Sequence, residues 1–120
     1  MRKILIVEDT EFNLDLLIQL LEDDYELICS GDGEAGMALA EMAHPDLILM
    51  DMSLPVMDGW TAATAIKSNP TLSSIPIIGL SAHAMEGDQR KAIENGCDAY
   101  LTKPVDEVLL RETLDKFLKD

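Results

Sequence analysis

The stretch DLILMDMSLPVMDGW, residues 46–60, decides the fold. Residues 47–50 are all large and apolar, which is typical of a strand buried on both faces of a sheet. The run nevertheless ends on a carboxylate, Asp51. In open parallel sheets, ligands bind outside the carboxyl ends of the strands. The stretch therefore predicts a central strand that delivers an acid to a functional edge.

Outward from this strand, short apolar runs alternate with helix-length segments along the whole chain. The predicted strands are KILIV (3–7), YELICS (25–30), DLILMD (46–51), IPIIGLS (75–81) and AYLT (99–102). Five strands, each followed by a helix, predict one α/β domain over residues 1–120, with a doubly wound parallel sheet covered on both faces. The second strand alternates apolar and polar residues and is expected at an edge.

Five helices are predicted from apolar residues at helical spacing. They cover about residues 11–24, 33–43, 59–68, 85–95 and 105–118. Thr10 and Asp32 are the expected N-caps, and Gly96 suits the position after the fourth helix. The apolar stripe expected in the first helix is Phe12, Leu16, Leu17, Leu20 and Leu21. The stripe expected in the last helix is Val108, Leu109, Leu114, Phe117 and Leu118.

The composition is strongly acidic, with 23 Asp and Glu against 9 Lys and Arg and a net charge of −14. Such a surface repels phosphate backbones, so direct nucleic-acid binding is not expected. It suits a cation or a basic patch on a partner, although solubility explains most of these charges equally well. No segment approaches the roughly 20 apolar residues of a membrane helix, and the N-terminus lacks a signal-peptide pattern. A cytoplasmic protein without membrane insertion is expected, with Cys29 and Cys97 as buried free thiols.

Polar side chains follow four of the predicted strands. Glu8 and Asp9 follow the first, Asp51 ends the third, Ser81 ends the fourth and Lys103 follows the fifth. Because the carboxyl ends of parallel strands share one edge, these side chains are expected in one cleft. Three carboxylates so close repel each other unless a cation is bound. A hard ion held by a few carboxylates, with water or phosphate oxygens completing its shell, describes Mg²⁺.

This cleft also predicts a reaction. An aspartate can act as a nucleophile toward phosphorus and form an aspartyl-phosphate. Mg²⁺ and Lys103 could share the neutralisation of charge on the transferred oxygens, and Ser81 could donate a hydrogen bond to one of them. The residues therefore predict that Asp51 is phosphorylated.

Four segments resemble the motifs of the receiver domain of two-component signalling, the response-regulator fold. They are ILIVEDTEFN (4–13), DLILMDMSLPVMDGW (46–60), IPIIGLSAHA (75–84) and GCDAYLTKP (96–104). The motifs occur in the family's order and at its spacing, and the resemblance covers all 120 residues. The resemblance implies a flavodoxin-like (βα)5 sheet with strand order 2-1-3-4-5. The chain is similar to stand-alone single-domain regulators in particular.

The resemblance implies roles for the acids of the cleft. Asp51 would take a phosphoryl group from a phosphohistidine on a sensor histidine kinase or a histidine phosphotransfer protein. Asp9 would hold Mg²⁺ directly and Glu8 through water, although the longer arm of Glu8 leaves direct contact open. Asp51 and the backbone carbonyl of Ser53 would complete the protein's share of the metal shell.

The remaining implied roles concern the phosphoryl group and the output. Lys103 and Ser81 would contact the phosphoryl group, and the Lys103–Pro104 peptide would be cis. Tyr100 would be an aromatic switch that turns inward when Ser81 moves, so that the face from residue 84 to residue 100 controls a downstream protein target. Ser53 and His83 occupy positions that modulate dephosphorylation in the family. Such a protein assists its own phosphorylation and dephosphorylation without being an enzyme.

Three alternatives stay open. The chain begins with Met1 and ends on charged residues, which favours a complete protein, but it could be a receiver domain excised from a larger regulator or a hybrid kinase. An aspartyl-phosphate hydrolase would need a second acid two residues after its nucleophile, where this chain has Ser53. A flavodoxin-like cofactor carrier would need a loop rich in Ser, Thr and Gly after the first strand, where this chain has EDTEFN.

Overall fold

A computed structural model of the protein describes residues 2–52, 59–81, 90, 93, 94, 96–103 and 105–118. Its elements in chain order are β1 (Lys3–Val7), α1 (Glu11–Leu21), β2 (Glu26–Ser30), α2 (Gly33–Ala43), β3 (Leu47–Asp51), α3 (Gly59–Ser68), β4 (Ile77–Ser81), β5 (Ala99–Thr102) and α4 (Glu107–Leu118). The predicted helix at about residues 85–95 falls largely outside the described residues, and so do Ser53, His83 and Pro104.

The five strands form one parallel sheet in the order β2-β1-β3-β4-β5. The predicted doubly wound sheet, its strand order and the edge position of β2 are confirmed. The register places Val7 opposite Met50, and Asp51 opposite Leu80. The carboxyl ends of β1, β3 and β4 therefore lie side by side.

Two apolar layers cover the two faces of the sheet. Every residue of β3 and β4 is buried, as expected for central parallel strands. One layer packs α2 and α3 on the sheet through Ala40, Ala62, Ala63 and Ile66. The other packs α1 and α4 on it through Leu17, Leu21, Leu110, Leu114 and Leu118. Alternation along a strand thus sends each side chain toward one of two helix pairs.

The helix ends follow local chemistry. The Asp32 side chain caps α2 by accepting a 2.7 Å hydrogen bond from the Ala35 N–H. His44 ends that helix in the left-handed region at φ 45° and donates its N–H to the Ala40 carbonyl. Thr10 occupies the N-cap of α1, but its side chain makes no capping hydrogen bond. The Asp32 prediction is confirmed, and the Thr10 prediction holds for position only.

The predicted stripe of the last helix is wrong at two positions. Val108 is 66% exposed and Leu109 is 49% exposed, whereas α4 buries Leu110, Leu114 and Leu118. Residues four apart share one helix face, and Val108 and Leu109 lie well off the face defined by this stripe. Phe12 in the first turn of α1 is likewise exposed, at 77%. The spacing of apolar residues predicted the helical period correctly, but it assigned three exposed residues to the buried helix faces.

The two cysteines have different environments. Cys97 is buried, as predicted, and burial raises the pKa of its thiol to about 12. Cys29 is exposed, and the prediction that it is buried is wrong. Its strand β2 lies at the edge of the sheet, where a strand has a neighbour on one side only. In the part of the chain that the structure describes, every helix is too short or too polar to cross a bilayer.

Candidate functional site

Three polar residues reach the same point from three different strands. Glu8 directly follows β1, Asp51 is the last residue of β3, and Lys103 directly follows β5. Side chains alternate between the two faces of the sheet along a strand. Each of the three residues lies two positions after an apolar residue that faces α1 and α4, so all three side chains lie on that face. The strand pairing therefore brings residues 8, 51 and 103 together although they are far apart in sequence.

The lysine ammonium lies between the two buried carboxylates. Lys103 Nζ is 2.7 Å from Oε1 of Glu8 and 3.1 Å from Oδ2 of Asp51. Glu8 is 1% exposed and Asp51 is 3% exposed. The cleft thus holds two buried acids and one base in direct contact.

Asp9 adds a third carboxylate on the solvent side. One carboxylate oxygen from each of Glu8, Asp9 and Asp51 lies within 4.8 Å of the other two. Asp9 is exposed, in contrast to the other two acids. The cluster is therefore buried at its base and accessible at its rim.

The ionisation of these groups reflects their crowding. Burial and then the neighbouring Asp51 carboxylate raise the pKa of Glu8 to about 7, and Lys103 and the Thr10 N–H offset this only in part. Burial opposes the charged form of Lys103, but Glu8 and Asp51 outweigh it and raise the pKa of the ammonium. The single Lys103 ammonium therefore does not offset the negative charge of the three carboxylates.

The cluster fits a divalent cation. Oε1 of Glu8 is buried and has no hydrogen-bond partner among the described residues. Its 2.7 Å contact with Lys103 is an ion pair rather than a well-aligned hydrogen bond. Carboxylate oxygens are the ligands that Mg²⁺ prefers, usually one or two of them together with water and phosphate oxygens. Glu8, Asp9 and Asp51 offer this donor set.

Ser81 and Tyr100 lie on neighbouring strands beside the cluster. Ser81 ends β4 and is 3% exposed, and its carbonyl accepts a 2.7 Å hydrogen bond from the Lys103 N–H. Tyr100 lies opposite Gly79 and is partly buried against the layer under α2 and α3. Ser81 lies two residues after Gly79, the partner of Tyr100, so alternation places the Ser81 and Tyr100 side chains on the same face of the sheet. Ser53 and Pro104 lie outside the described residues, so the metal-binding carbonyl and the cis peptide stay predictions.

Sequence reasoning missed two features of the site. A small pocket lies against Glu8 and Lys103 and is lined also by Asn13, Leu16, Leu17, Leu80 and Val105. Helical spacing could have placed residues 13, 16 and 17 on one face of α1. The second feature is the packing of Met52, the residue after Asp51, against β4.

Comparison with known proteins agrees with this geometry. A family profile described as the response regulator receiver domain matches residues 4–115. The chain belongs to this family. Among its relatives is the polar-differentiation response regulator DivK of Brucella ovis, which is 38% identical over 99% of this chain and 98% of DivK.

Solved receiver domains share the whole fold. The receiver domain of the Pseudomonas aeruginosa sensor histidine kinase PA1611, with a magnesium ion coordinated in its active-site cleft, has a TM-score of 0.92 and 32% identity over 99% of this chain and 98% of that one. A Saccharomyces cerevisiae receiver domain, solved with a histidine phosphotransfer protein, has a TM-score of 0.90 and 28% identity over 97% of this chain and 88% of that one. The resemblance to receiver domains is confirmed, and the chain is a receiver domain of two-component signalling.

Proposed function

We propose that this receiver domain, spanning residues 1–120, is a phosphoacceptor switch in which Asp51 receives a phosphoryl group. The donor is a phosphohistidine on a sensor histidine kinase or a histidine phosphotransfer protein. One observation carries the proposal: a buried strand end holds the Asp51 carboxylate 3.1 Å from the Lys103 ammonium, beside two further acids. A nucleophile, a fixed cation and a metal-binding donor set are the parts that phosphoryl transfer requires.

The acids of the cluster are proposed to hold Mg²⁺. Asp9 and Asp51 would bind it directly and Glu8 through water, with the backbone carbonyl of Ser53 as a further ligand. When bound, Mg²⁺ neutralises charge on the phosphoryl oxygens. The mutual proximity of the three carboxylates, two of which share the single ammonium of Lys103, supports this assignment.

Phosphoryl transfer then depends on groups already in place. An Asp51 carboxylate oxygen attacks phosphorus, so that an O–P bond forms, the N–P bond of the phosphohistidine breaks, and the imidazole keeps the electron pair. The Lys103 ammonium lies near enough to pair with a phosphoryl oxygen after transfer, and the Ser81 hydroxyl would donate to another. Attack by water at the same phosphorus would restore the carboxylate and release phosphate. The domain thus assists both steps as a signalling switch rather than as a classical enzyme.

Phosphorylation is proposed to act on the face that includes Ser81 and Tyr100. The new charge draws the Ser81 hydroxyl inward, and Tyr100 turns into the space beside it. A shift from 1:99 to 99:1 between two states needs about 5.5 kcal/mol of differential contact, which a doubly charged group beside a metal and an ammonium can supply. The face from residue 84 to residue 100 would then control a downstream protein target. The Lys103–Pro104 peptide is proposed to be cis, as the family resemblance implies.

The charge of the chain bears on its partners and place. A net charge of −14 favours partners with basic patches and disfavours nucleic acid. We assign the protein to the cytoplasm, where kinases of two-component systems present their phosphohistidine.

The test is labelling by a small phosphodonor. Acetyl phosphate with Mg²⁺ is expected to add one phosphoryl group to the wild-type protein and none to Asp51→Asn, as read by intact-protein mass spectrometry. Asp15→Asn, which removes an exposed acid of α1, is the matched control and is expected to be labelled like wild type. Equal labelling of wild type and Asp51→Asn would overturn the proposal.

Metal binding is tested separately by calorimetric titration with Mg²⁺. Asp9→Ala is expected to weaken binding sharply, whereas Asp15→Ala is expected to leave it unchanged. Unchanged Mg²⁺ affinity in Asp9→Ala would count against the acid cluster as the metal site.

A further inference from the structure

Met52, the residue directly after Asp51, is buried against the neighbouring strand. It is 2% exposed, and its N–H donates a 2.9 Å hydrogen bond to the Leu80 carbonyl of β4. The backbone pairing of β3 with β4 thus continues one residue past the end of the strand.

The side chain of Met52 lies over Gly79. A Cβ atom added at Gly79 would stand 3.4 Å from both Sδ and Cε of Met52, and 3.3 Å from Sγ of Cys97. Gly79 is paired with Met50 on β3 and with Tyr100 on β5. The thioether therefore crosses β4 at a position that has no side chain, at van der Waals distance from where a Cβ would stand.

This packing bears on Asp51 because the chain is held differently before and after it. Up to Met50, β3 is paired with β1 on one side and with β4 on the other. For residue 52, the described part of the chain shows a backbone hydrogen bond to Leu80 on the β4 side, together with the contact over Gly79. The next residue, Ser53, supplies the carbonyl that we assigned to the metal. Met52 thus lies between two proposed metal ligands.

We propose that Met52 is a positioning residue of the metal site, holding the Asp51 carboxylate in place through its contact over Gly79. The inference rests on the proposed function, since it presupposes a metal at Asp51. Residues that orient metal ligands without touching the metal govern affinity in other sites. Met52 acts here through packing rather than through a hydrogen bond to a ligand.

A purely structural role for Met52 makes a different prediction, and Met50 separates the two. Met50 is the same residue type, lies two residues earlier on the same face of the sheet, and is 0% exposed. It also flanks Asp51, but its backbone belongs to the paired strand on both sides. Loss of packing at Met50 should lower stability without loosening the metal ligands.

The experiment compares Met52→Val with Met50→Val. Both substitutions remove Sδ and Cε and keep a residue suited to a strand. Mg²⁺ affinity by calorimetry is expected to fall about tenfold or more in Met52→Val. In Met50→Val it is expected to stay within about twofold of wild type, because this variant keeps the Met52 contact over Gly79. Urea denaturation of both variants measures the structural effect on its own. If Met52→Val is not folded, Met52→Leu, which conserves volume, replaces it with a smaller expected loss.

Gly79→Ala supplies a second, independent test. In the wild-type background the added methyl meets the Met52 thioether at van der Waals distance, 3.4 Å, and is expected to change Mg²⁺ affinity little. In the Met52→Val background the same methyl fills the vacated space and is expected to restore affinity toward wild type. An equal change of affinity in Met50→Val and Met52→Val, or no restoration by Gly79→Ala, would overturn the inference. Equal Mg²⁺ binding by wild type and Asp51→Asn would instead refute the proposed function.

Discussion

The ammonium nitrogen of Lys103 lies 2.7 Å from Oε1 of Glu8, closer than its 3.1 Å approach to Asp51. The lysine is therefore as much a partner of the buried Glu8 as of Asp51. Removing charges from water is costly, and their mutual attraction repays that cost only when partners are well placed. Lys103 thus supports the folded state as well as the proposed chemistry, and the two roles can be separated by experiment.

Replacing Lys103 should destabilise the metal-free domain. Lys103→Met keeps the length of the side chain but leaves Glu8 and Asp51 buried without their cation, so the free energy of unfolding is expected to fall by about 3 kcal/mol at pH 8. At pH 5 the loss is expected to be smaller, because Glu8 is then protonated. Urea denaturation in EDTA at the two pH values measures the difference.

Lys116→Met is the matched control for that substitution. Lys116 is exposed on α4 with its ammonium 5.6 Å from the Phe117 ring centroid, so its replacement should change stability little and equally at both pH values. A loss in Lys103→Met that is no larger than in Lys116→Met would contradict the buried ion pair.

The raised pKa of Glu8 predicts a pH dependence of stability. Its pKa is about 7 in the folded protein against 4.5 as the ordinary value, so the folded state binds more protons between these pH values. The contribution of Glu8 to stability is therefore fully present below pH 4.5 and is lost as the pH rises through about 7. In EDTA the slope due to this group should reach at most about 1.4 kcal/mol per pH unit.

Glu8→Gln isolates this effect from the other acids. The difference in unfolding free energy between wild type and Glu8→Gln is expected to shift in favour of the variant as the pH rises from 4.5 to 7. Saturating Mg²⁺ should remove the trend, because a cation favours the ionised carboxylate. A difference that does not vary with pH in EDTA would show that Glu8 titrates normally.

Most of the fold and the centre of the site could be predicted because they rest on strong periodic signals. The continuous apolar run of β3 required burial on both faces, and alternation of strands with helices required a parallel sheet. Once the sheet is parallel, the strand ends share an edge, which places Glu8, Asp51 and Lys103 along that edge. The strand order itself came from family resemblance, because hydrophobic patterns do not determine which strands are neighbours.

What escaped prediction depends on contacts between distant residues. Apolar spacing gives the period of a helix, but the phase depends on which face meets the sheet, and Phe12, Val108 and Leu109 are exposed for that reason. The exposure of Cys29 and the packing of Met52 over Gly79 likewise depend on neighbours that only the assembled sheet supplies.

Gly36 in α2 is expected to be intolerant of a side chain. A Cβ there would lie 2.8 Å from Cγ2 of Val7, the residue before Glu8, and the β-branched valine has little freedom to move. Gly36→Ala should therefore lower stability by about 1–3 kcal/mol through overpacking, despite the better helix propensity of alanine. Gly31→Ala, where nothing lies within 4 Å, is the control and should be neutral or slightly stabilising in the same urea titration.

Lys67 joins three segments at the opposite end of the sheet. Its ammonium donates to the carbonyls of Ser73 and Ile75 at 3.2 and 2.8 Å and lies 2.9 Å from Oδ2 of Asp98. The same Asp98 oxygen accepts a 2.8 Å hydrogen bond from the Ile77 N–H at the start of β4. The end of α3, the entry to β4 and the entry to β5 are therefore held by one side chain.

Replacing Lys67 should loosen all three segments at once. Lys67→Met keeps the aliphatic stem but removes every donor, so two carbonyls lose this hydrogen bond and Asp98 loses its cation. A loss of about 1–3 kcal/mol in unfolding free energy is expected. Asp98→Asn should cost less, because its amide oxygen can still accept the Ile77 N–H. Hydrogen exchange is the more specific measurement: amides of β4 and β5 near this node should exchange faster in Lys67→Met, while those of β1 and β2 keep wild-type protection. Uniformly faster exchange across the sheet would mean that Lys67 supports global stability rather than this local junction.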